Sequence, residues 1–132
     1  MEVNRFWYNK RMKRVLLDTS FLINLTYPST GLDQIYQSLG KVEFLVSKGV
    51  IKELKRLASS KTEKAKRAKL ALNFVKVFKV LSLEEDLKAD EEILKLAERE
   101  KLMVCTNDIK LMRELKERGI EIISLKHRKL IF

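Results

Sequence analysis

The sequence predicts an α/β fold built on parallel strands, and three observations carry that prediction. Short apolar runs alternate along the chain with longer segments whose apolar residues recur at spacings of three and four. The connecting segments are long enough to be helical crossovers, which pair strands in parallel and turn right-handed. Asp18 and Asp108 each end a short apolar run, residues 14–17 and 102–105, and each stands just ahead of a helical pattern. In a parallel sheet the loops leaving the carboxyl ends of the strands line the ligand crevice, so two such aspartates can converge although distant in sequence.

Residues 15–17 read as the first strand. Thr19 or Ser20 caps a helix whose apolar residues include Phe21, Leu22 and Leu25. Residues 28–31 break the chain, and a second helix covers residues 32–39 with Gly40 as its stop. Residues 42–47 are the second strand. Gly49 opens a helix with Val50, Ile51, Leu54 and Leu57 on its apolar side, ended by Ser59 and Ser60. The next helix sets Ala65, Ala68, Leu72 and Val75 on one face with lysines opposite. Residues 78–83 are the third strand, and the acidic residues Glu84, Glu85 and Asp86 form a solvated loop. A helix over residues 90–100 turns Ile93, Leu94 and Ala97 inward. Residues 102–105 are the fourth strand; residues 109–118 form a helix with Met112 and Leu115 inward and Gly119 at its C′ position; residues 120–125 are the fifth strand. No repeat, low-complexity tract or linker interrupts this order, so the reading is a basic aromatic arm over residues 1–13 and a single domain over residues 14–132.

At 132 residues, 45% hydrophobic and 35% charged, the chain can bury one core but not two. No apolar stretch approaches the roughly 18 residues of a membrane span, and the first residues lack an apolar signal core. A cytoplasmic location without a membrane partner is therefore expected. The lone Cys105 sits inside an apolar strand and reads as a packing thiol suited to a reducing compartment.

Lys and Arg number 28 against 18 Asp and Glu, and the resulting net charge of +10 attracts polyanions through counterion release. The basic residues are grouped. Arg5, Lys10, Arg11, Lys13 and Arg14 are interleaved with Phe6, Trp7 and Tyr8, rings that either stack on unpaired bases or pack on the body of the fold. Lys52, Lys55, Arg56, Lys61, Lys64, Lys66, Arg67 and Lys69 run along two consecutive helices, and Lys126, His127, Arg128 and Lys129 lie near the C-terminus. The expected nucleic-acid contacts are Lys55, Arg56, Lys64 and Arg67, with Phe6, Trp7 and Tyr8.

Four carboxylates stand near the starts of helices that follow strands: Asp18, Glu53, Asp90 and Asp108. Singly, each has a structural explanation. Asp18 and Asp108 can cap helices, Asp90 suits a helix N-terminus through the dipole, and Glu53 can be a solvated helix residue. Together they repel one another, and the simplest partner that holds them on one edge is a hard divalent cation. His127 is the only histidine and lies in a basic tail; no zinc ligand set and no glycine-rich phosphate loop is present.

Asp18-Thr19-Ser20-Phe21-Leu22-Ile23, Glu53 in Ile51-Lys52-Glu53-Leu54, Ala89-Asp90-Glu91-Glu92-Ile93-Leu94 and Thr106-Asn107-Asp108 together resemble the ordered acidic motifs of the PIN-domain ribonucleases. The resemblance runs from about Arg14 to the C-terminus. It implies a three-layer α/β/α sandwich with a five-stranded parallel sheet in the order 3-2-1-4-5, an order that periodicity alone does not give. It also implies a metal-dependent endoribonuclease with Asp18, Glu53, Asp90 and Asp108 as catalytic and metal-holding residues for Mg²⁺ or Mn²⁺. Ser20 and Thr106 resemble the hydroxyl residues beside them, and Glu91 is a supplementary acid.

Residues 120–128 and Ala89-Asp90-Glu91 look most like the ribosomal-RNA-processing branch of that family, whereas Asp18-Thr19-Ser20 is equally at home in its toxin branch. The implied partners are RNA, with a ribosomal precursor foremost, and an antitoxin or ribosome-assembly protein; a homodimer stays open. A PIN domain that binds RNA or an assembly partner without cutting is the non-enzyme alternative. A phosphorelay receiver fits poorly because Asp18 has no adjacent acidic partner, and a haloacid-dehalogenase-type phosphatase would place an aspartate where Ser20 stands.

Overall fold

A computed structural model describes residues 12–28, 32–126 and 129–132. The elements follow the alternation in the sequence: β1 (Lys13–Leu17), α1 (Thr19–Asn24), α2 (Leu32–Leu39), β2 (Val42–Ser47), α3 (Lys48–Ala58), α4 (Glu63–Val75), β3 (Lys79–Leu81), α5 (Ala89–Glu100), β4 (Met103–Cys105), α6 (Ile109–Glu117), β5 (Ile122–Lys126) and β6 (Lys129–Ile131). The sheet order is β3-β2-β1-β4-β5-β6. The first five strands are parallel in the expected 3-2-1-4-5 order.

One correction concerns the strand count. Among the described residues the sheet has six strands and is mixed, because β6 folds back antiparallel on β5 with Leu125 opposite Leu130. The reason is local: the apolar run Leu130-Ile131-Phe132 follows a basic cluster directly, without a helical crossover, so it returns antiparallel and covers an edge that β5 would otherwise leave open. The expected arm of residues 1–13 lies outside the described residues except for Met12 and Lys13, and Lys13 already belongs to β1.

Val15, Leu16 and Leu17 are all fully buried, as are Leu45 and Val46 on the neighbouring strand. Successive strand residues point to opposite faces, so complete burial of consecutive residues means that both faces of the central sheet are covered. In α6 the buried residues are Leu111 and Leu115, with Met112 only half-buried, one helical position away from the expected face. β3 is shorter than expected and mostly exposed, as an edge strand can be.

The helix ends follow local chemistry. Ser47 caps α3 by accepting from the Val50 N–H at 3.1 Å, and Thr62 caps α4 by accepting from the Ala65 N–H at 3.1 Å. Gly119 takes a left-handed φ of 71° just after α6. At the end of α5 the same left-handed conformation falls on Lys101, with φ 55°. Among the described residues no helix is long and apolar enough to cross a membrane.

Register puts the site at one level. Leu17 of β1 pairs with Cys105 of β4, and the Asp18 N–H continues the ladder to the Cys105 carbonyl at 2.9 Å. Asp18 and Thr106 therefore leave adjacent strands side by side, at the point where the chain order of the sheet reverses.

Candidate active site

Asp18 occupies the N-cap position of α1 yet makes no capping hydrogen bond with its side chain. Its carboxylate is used differently. Oδ2 accepts from the Ser20 hydroxyl at 2.9 Å and from the Thr106 hydroxyl at 2.7 Å. Each hydroxyl is oriented in turn by the β4–α6 loop: Ser20 Oγ accepts from the Asn107 N–H and Thr106 Oγ1 from the Asp108 N–H, both at 3.0 Å. Only 4% of the Asp18 surface is exposed, so these bonds replace water that burial removed.

Asp108 does cap its helix. Its Oδ1 accepts from the Leu111 N–H at 3.1 Å, while the residue also lines the acidic cleft. The structural and site roles coexist because a carboxylate has two oxygens. Asn107 performs a third task in this short motif. Its side-chain amide donates to the Leu125 carbonyl at 2.6 Å and accepts from the Leu125 N–H at 3.1 Å, fastening the loop to β5 as a strand neighbour would.

Glu53 from α3, Asp90 from the first turn of α5 and Asp108 face a cleft of about 450 Å³ also lined by Lys88, Glu91, Lys110 and Glu114. Burial first, then the charges of Asp18 and Asp90, hold the Glu53 carboxyl above its ordinary 4.5, against the opposing pull of Arg56 and Lys64. Burial first, then Asp18, Asp108 and Glu114, hold the Asp90 carboxyl above its ordinary 3.8, with Lys110 opposing. Asp18 thus acts on both Glu53 and Asp90, and Asp108 acts on Asp90, so the four predicted acids form one connected set although Asp18 does not itself line the cleft. Among the described residues, no three Asp, Glu, His or Cys side chains converge into a ready-made metal cage. The donor set nevertheless fits a hard cation: it is all oxygen, its acids repel one another, and Mg²⁺ is commonly held by one or two carboxylates with water completing the shell.

These features accompany a recognisable chain. The family model described as "PIN like domain" matches residues 15–128. The chain belongs to the PIN-like domain family. Ribonuclease VapC4 of Methanocaldococcus jannaschii is 33% identical over 125 residues, covering 89% of this chain and 94% of that one. Ribonuclease VapC9 of Archaeoglobus fulgidus is 29% identical over 125 residues, covering 94% and 91%. The structure of the PIN domain endonuclease Utp24 superposes with a TM-score of 0.75 at 26% identity, over 89% of this chain and 88% of that one. Family and relatives place this PIN-like domain among the nucleases.

In this PIN-like domain the remaining predicted residues are distributed unevenly. Ser20 and Thr106 are part of the Asp18 network, and Glu91 is exposed at the cleft. Arg56 and Lys64 act on Glu53. Lys55 instead lines a separate, mainly apolar groove of about 550 Å³ with Lys69, Leu72 and Lys76. Arg67 is engaged between α1 and α4: it pairs with Glu63, donates to the Thr26 carbonyl at 3.0 Å and lies 4.0 Å from the centre of the Tyr27 ring. Phe6, Trp7, Tyr8 and His127 lie outside the described residues.

Sequence reasoning missed three residues around the PIN-like cleft and one, Glu92, beside it. Lys88 and Lys110 flank it and Glu114 adds negative charge. Lys110 and Glu114 are one turn apart on the helix that Asp108 caps, so spacing from Asp108 was the available signal. Glu92 is buried while Glu91 beside it is exposed, a difference set by helix phase: Glu92 lies one turn before the buried Leu96.

Proposed function

We propose that the chain is an endoribonuclease that hydrolyses RNA phosphodiesters with Mg²⁺ or Mn²⁺ held, directly or through water, by Asp18, Glu53, Asp90 and Asp108. The observation that carries this reading is the state of Asp18: buried, uncoupled from helix capping, fixed through one oxygen by two hydroxyls, and felt electrostatically by both Glu53 and Asp90. A carboxylate held so rigidly among other carboxylates is costly to fold and is expected where charge has a task.

When bound, such an ion lowers the pKa of a coordinated water and offsets charge on the phosphate and leaving oxygen. The chain supplies the rest. Ser20 and Thr106 orient Asp18, and Asp108 is steadied by its own capping bond. Glu53 and Asp90, from two other helices, line the cleft, and their mutual repulsion is what a cation would relieve. Lys88 and Lys110, which also line the cleft, supply positive charge for the phosphates of the RNA.

Cleavage of a labelled single-stranded RNA in Mg²⁺ or Mn²⁺, with a chelator control and Asp18→Asn alongside, tests this. Asp18→Asn keeps the size and acceptor of the side chain, so a folded variant that cut at the wild-type rate would end the proposal.

Two cellular roles have separate support. Processing of ribosomal RNA, with an assembly protein as partner, is favoured by the resemblance of residues 89–91 and 120–128 and by the structural likeness to an endonuclease at 26% identity. A toxin role, with an antitoxin over the cleft, is favoured by the ribonuclease VapC relatives. Growth arrest on expression alone and co-purification of a small antitoxin would select the toxin; crosslinking to precursor ribosomal RNA would select processing. RNA binding that survives loss of the acids, without cleavage, would select a non-catalytic binding domain. The cytoplasm is the proposed site of action.

A further inference from the structure

We propose that Glu92 is a positioning residue of this site: a buried carboxylate on α5 that grips the first turn of α3 and thereby sets Asp90 against Glu53. The inference rests on the nuclease reading above, since it concerns how the same four acids are held.

The start of a helix leaves backbone N–H groups without partners inside the helix. In α3 two of them are met by side chains. Ser47 takes the Val50 N–H from within the same segment, whereas the Gly49 N–H donates at 2.8 Å to Glu92 Oε1, a residue of another helix. Glu92 is 5% exposed. Burying an ionised acid is unfavourable unless strong hydrogen bonds and local positive potential compensate, and the N-terminal end of α3 offers both.

Gly49 is part of the same device through its size. Its φ is not in the left-handed region, so conformation does not require glycine there. Space favours it: a Cβ at Gly49 would meet Glu92 Oε1 at 2.7 Å, displacing the carboxylate from its bond, and would crowd the Ala89 Cα at 3.3 Å. Ala89 directly precedes Asp90, so the missing side chain is what lets α3 come against the first turn of α5. Glu53 lies one turn, roughly 6 Å of rise, beyond Gly49, and Asp90 lies two residues before Glu92. The bridge therefore links the first turns of the two helices that carry these acids, without either acid making the contact.

Mn²⁺ affinity by calorimetry, single-turnover RNA cleavage and circular dichroism would be measured on Glu92→Ala, Glu92→Gln, Gly49→Ala and Asp18→Asn. Glutamine keeps an oxygen that accepts the Gly49 N–H, so Glu92→Gln should stay within about fivefold of wild type in Mn²⁺ affinity, the difference between a charged and a neutral hydrogen bond. Glu92→Ala and Gly49→Ala, folded by dichroism, should each bind Mn²⁺ about 10–100-fold more weakly and lose cleavage in proportion, as is usual when the support of a metal ligand is removed. Wild-type Mn²⁺ affinity in both alanine variants would overturn the proposal, and so would a loss in Glu92→Gln as large as in Glu92→Ala, because the charge and not the bridge would then matter. If Glu92→Ala does not fold, Gly49→Ala and Glu92→Gln decide between the same outcomes. Wild-type Mn²⁺ binding by Asp18→Asn would be a different failure, that of the site itself.

Discussion

Thr106 donates its hydroxyl proton to Asp18 across 88 residues of sequence, at 2.7 Å, and with its oxygen lone pairs receives the Asp108 N–H at 3.0 Å. One side chain thus ties together the two strand-ending aspartates. Thr106→Val keeps the shape and removes both bonds, leaving a backbone N–H and a carboxylate oxygen short of partners. The expected cost is about 1–3 kcal/mol in urea unfolding, with cleavage reduced further than Ser20→Ala reduces it. A valine variant as stable and active as wild type would show that the network is incidental.

Asp108 allows capping to be separated from chemistry. Asparagine caps helices about as well as aspartate, so Asp108→Asn should hold its melting temperature while losing cleavage; Asp108→Ala should lose cleavage and a further roughly 1 kcal/mol of stability. Thermal unfolding of the two variants side by side checks this.

The raised proton affinities of Glu53 and Asp90 predict how metal-free protein responds to pH. In the unfolded chain these acids ionise at their ordinary 4.5 and 3.8, whereas the folded state keeps their protons to higher pH. The folded state then binds more protons, so their contribution to stability falls as pH rises through that interval and stays lowered above it. Glu53→Gln should remove part of this fall, and Mn²⁺ should offset it in wild type but not in Asp18→Asn. Melting temperatures against pH for the three proteins, with and without Mn²⁺, provide the comparison. An identical pH profile for wild type and Glu53→Gln would contradict the raised proton affinity of Glu53, which burial and the neighbouring acids produce together.

Salt dependence of RNA binding should sort the cations. With Ca²⁺ present to limit cleavage, alanine at Arg56, Lys64, Lys88 or Lys110 should each flatten the log affinity against log salt slope by about 0.7 if it contacts single-stranded phosphate. Lys55→Ala should change it least, because Lys55 lines the apolar groove. Arg67→Ala should destabilise the fold through its contacts with Tyr27, Thr26 and Glu63. Removing Phe6, Trp7 and Tyr8 should cost about 1–3 kcal/mol per stacked base with the slope intact; unchanged affinity would assign those rings to packing.

Lys101 offers a test remote from the cleft. A left-handed residue with a Cβ is disfavoured, so Lys101→Gly should raise stability by roughly 0.5–1 kcal/mol without altering cleavage. Chemical denaturation of wild type and variant measures it.

The pattern of legibility has physical causes. The five parallel strands could be read because β1 and β2 are buried on both faces and so appear as unbroken apolar runs, and because Gly40 and Gly119 mark helix ends. The sheet order needed the family resemblance, since nothing local encodes which strand lies beside which. β6 was not legible, being three residues long. That Asp108 caps and Asp18 does not was equally hidden: both precede helices, and only the hydroxyls of Ser20 and Thr106, one of them distant in sequence, divert Asp18. Glu92 was hidden by its neighbours, because three consecutive acids at a helix start all satisfy the dipole; helix phase sets the third inward, and its bond to α3 is not encoded locally.

The clasp of Asn107 on Leu125 has a bearing on the order in which the molecule is completed. The loop bearing Thr106 and Asp108 is anchored to a strand 18 residues further along, in addition to its bonds to Asp18 and Ser20, so its full set of fastenings needs β5 docked beside β4. A partly folded chain with β1 to β4 in place would contain every acid of the cleft yet lack the fastening that holds the loop to β5. The support of the site is in this sense longer than the site itself, because a strand that contributes no acid to the cleft acts as the latch.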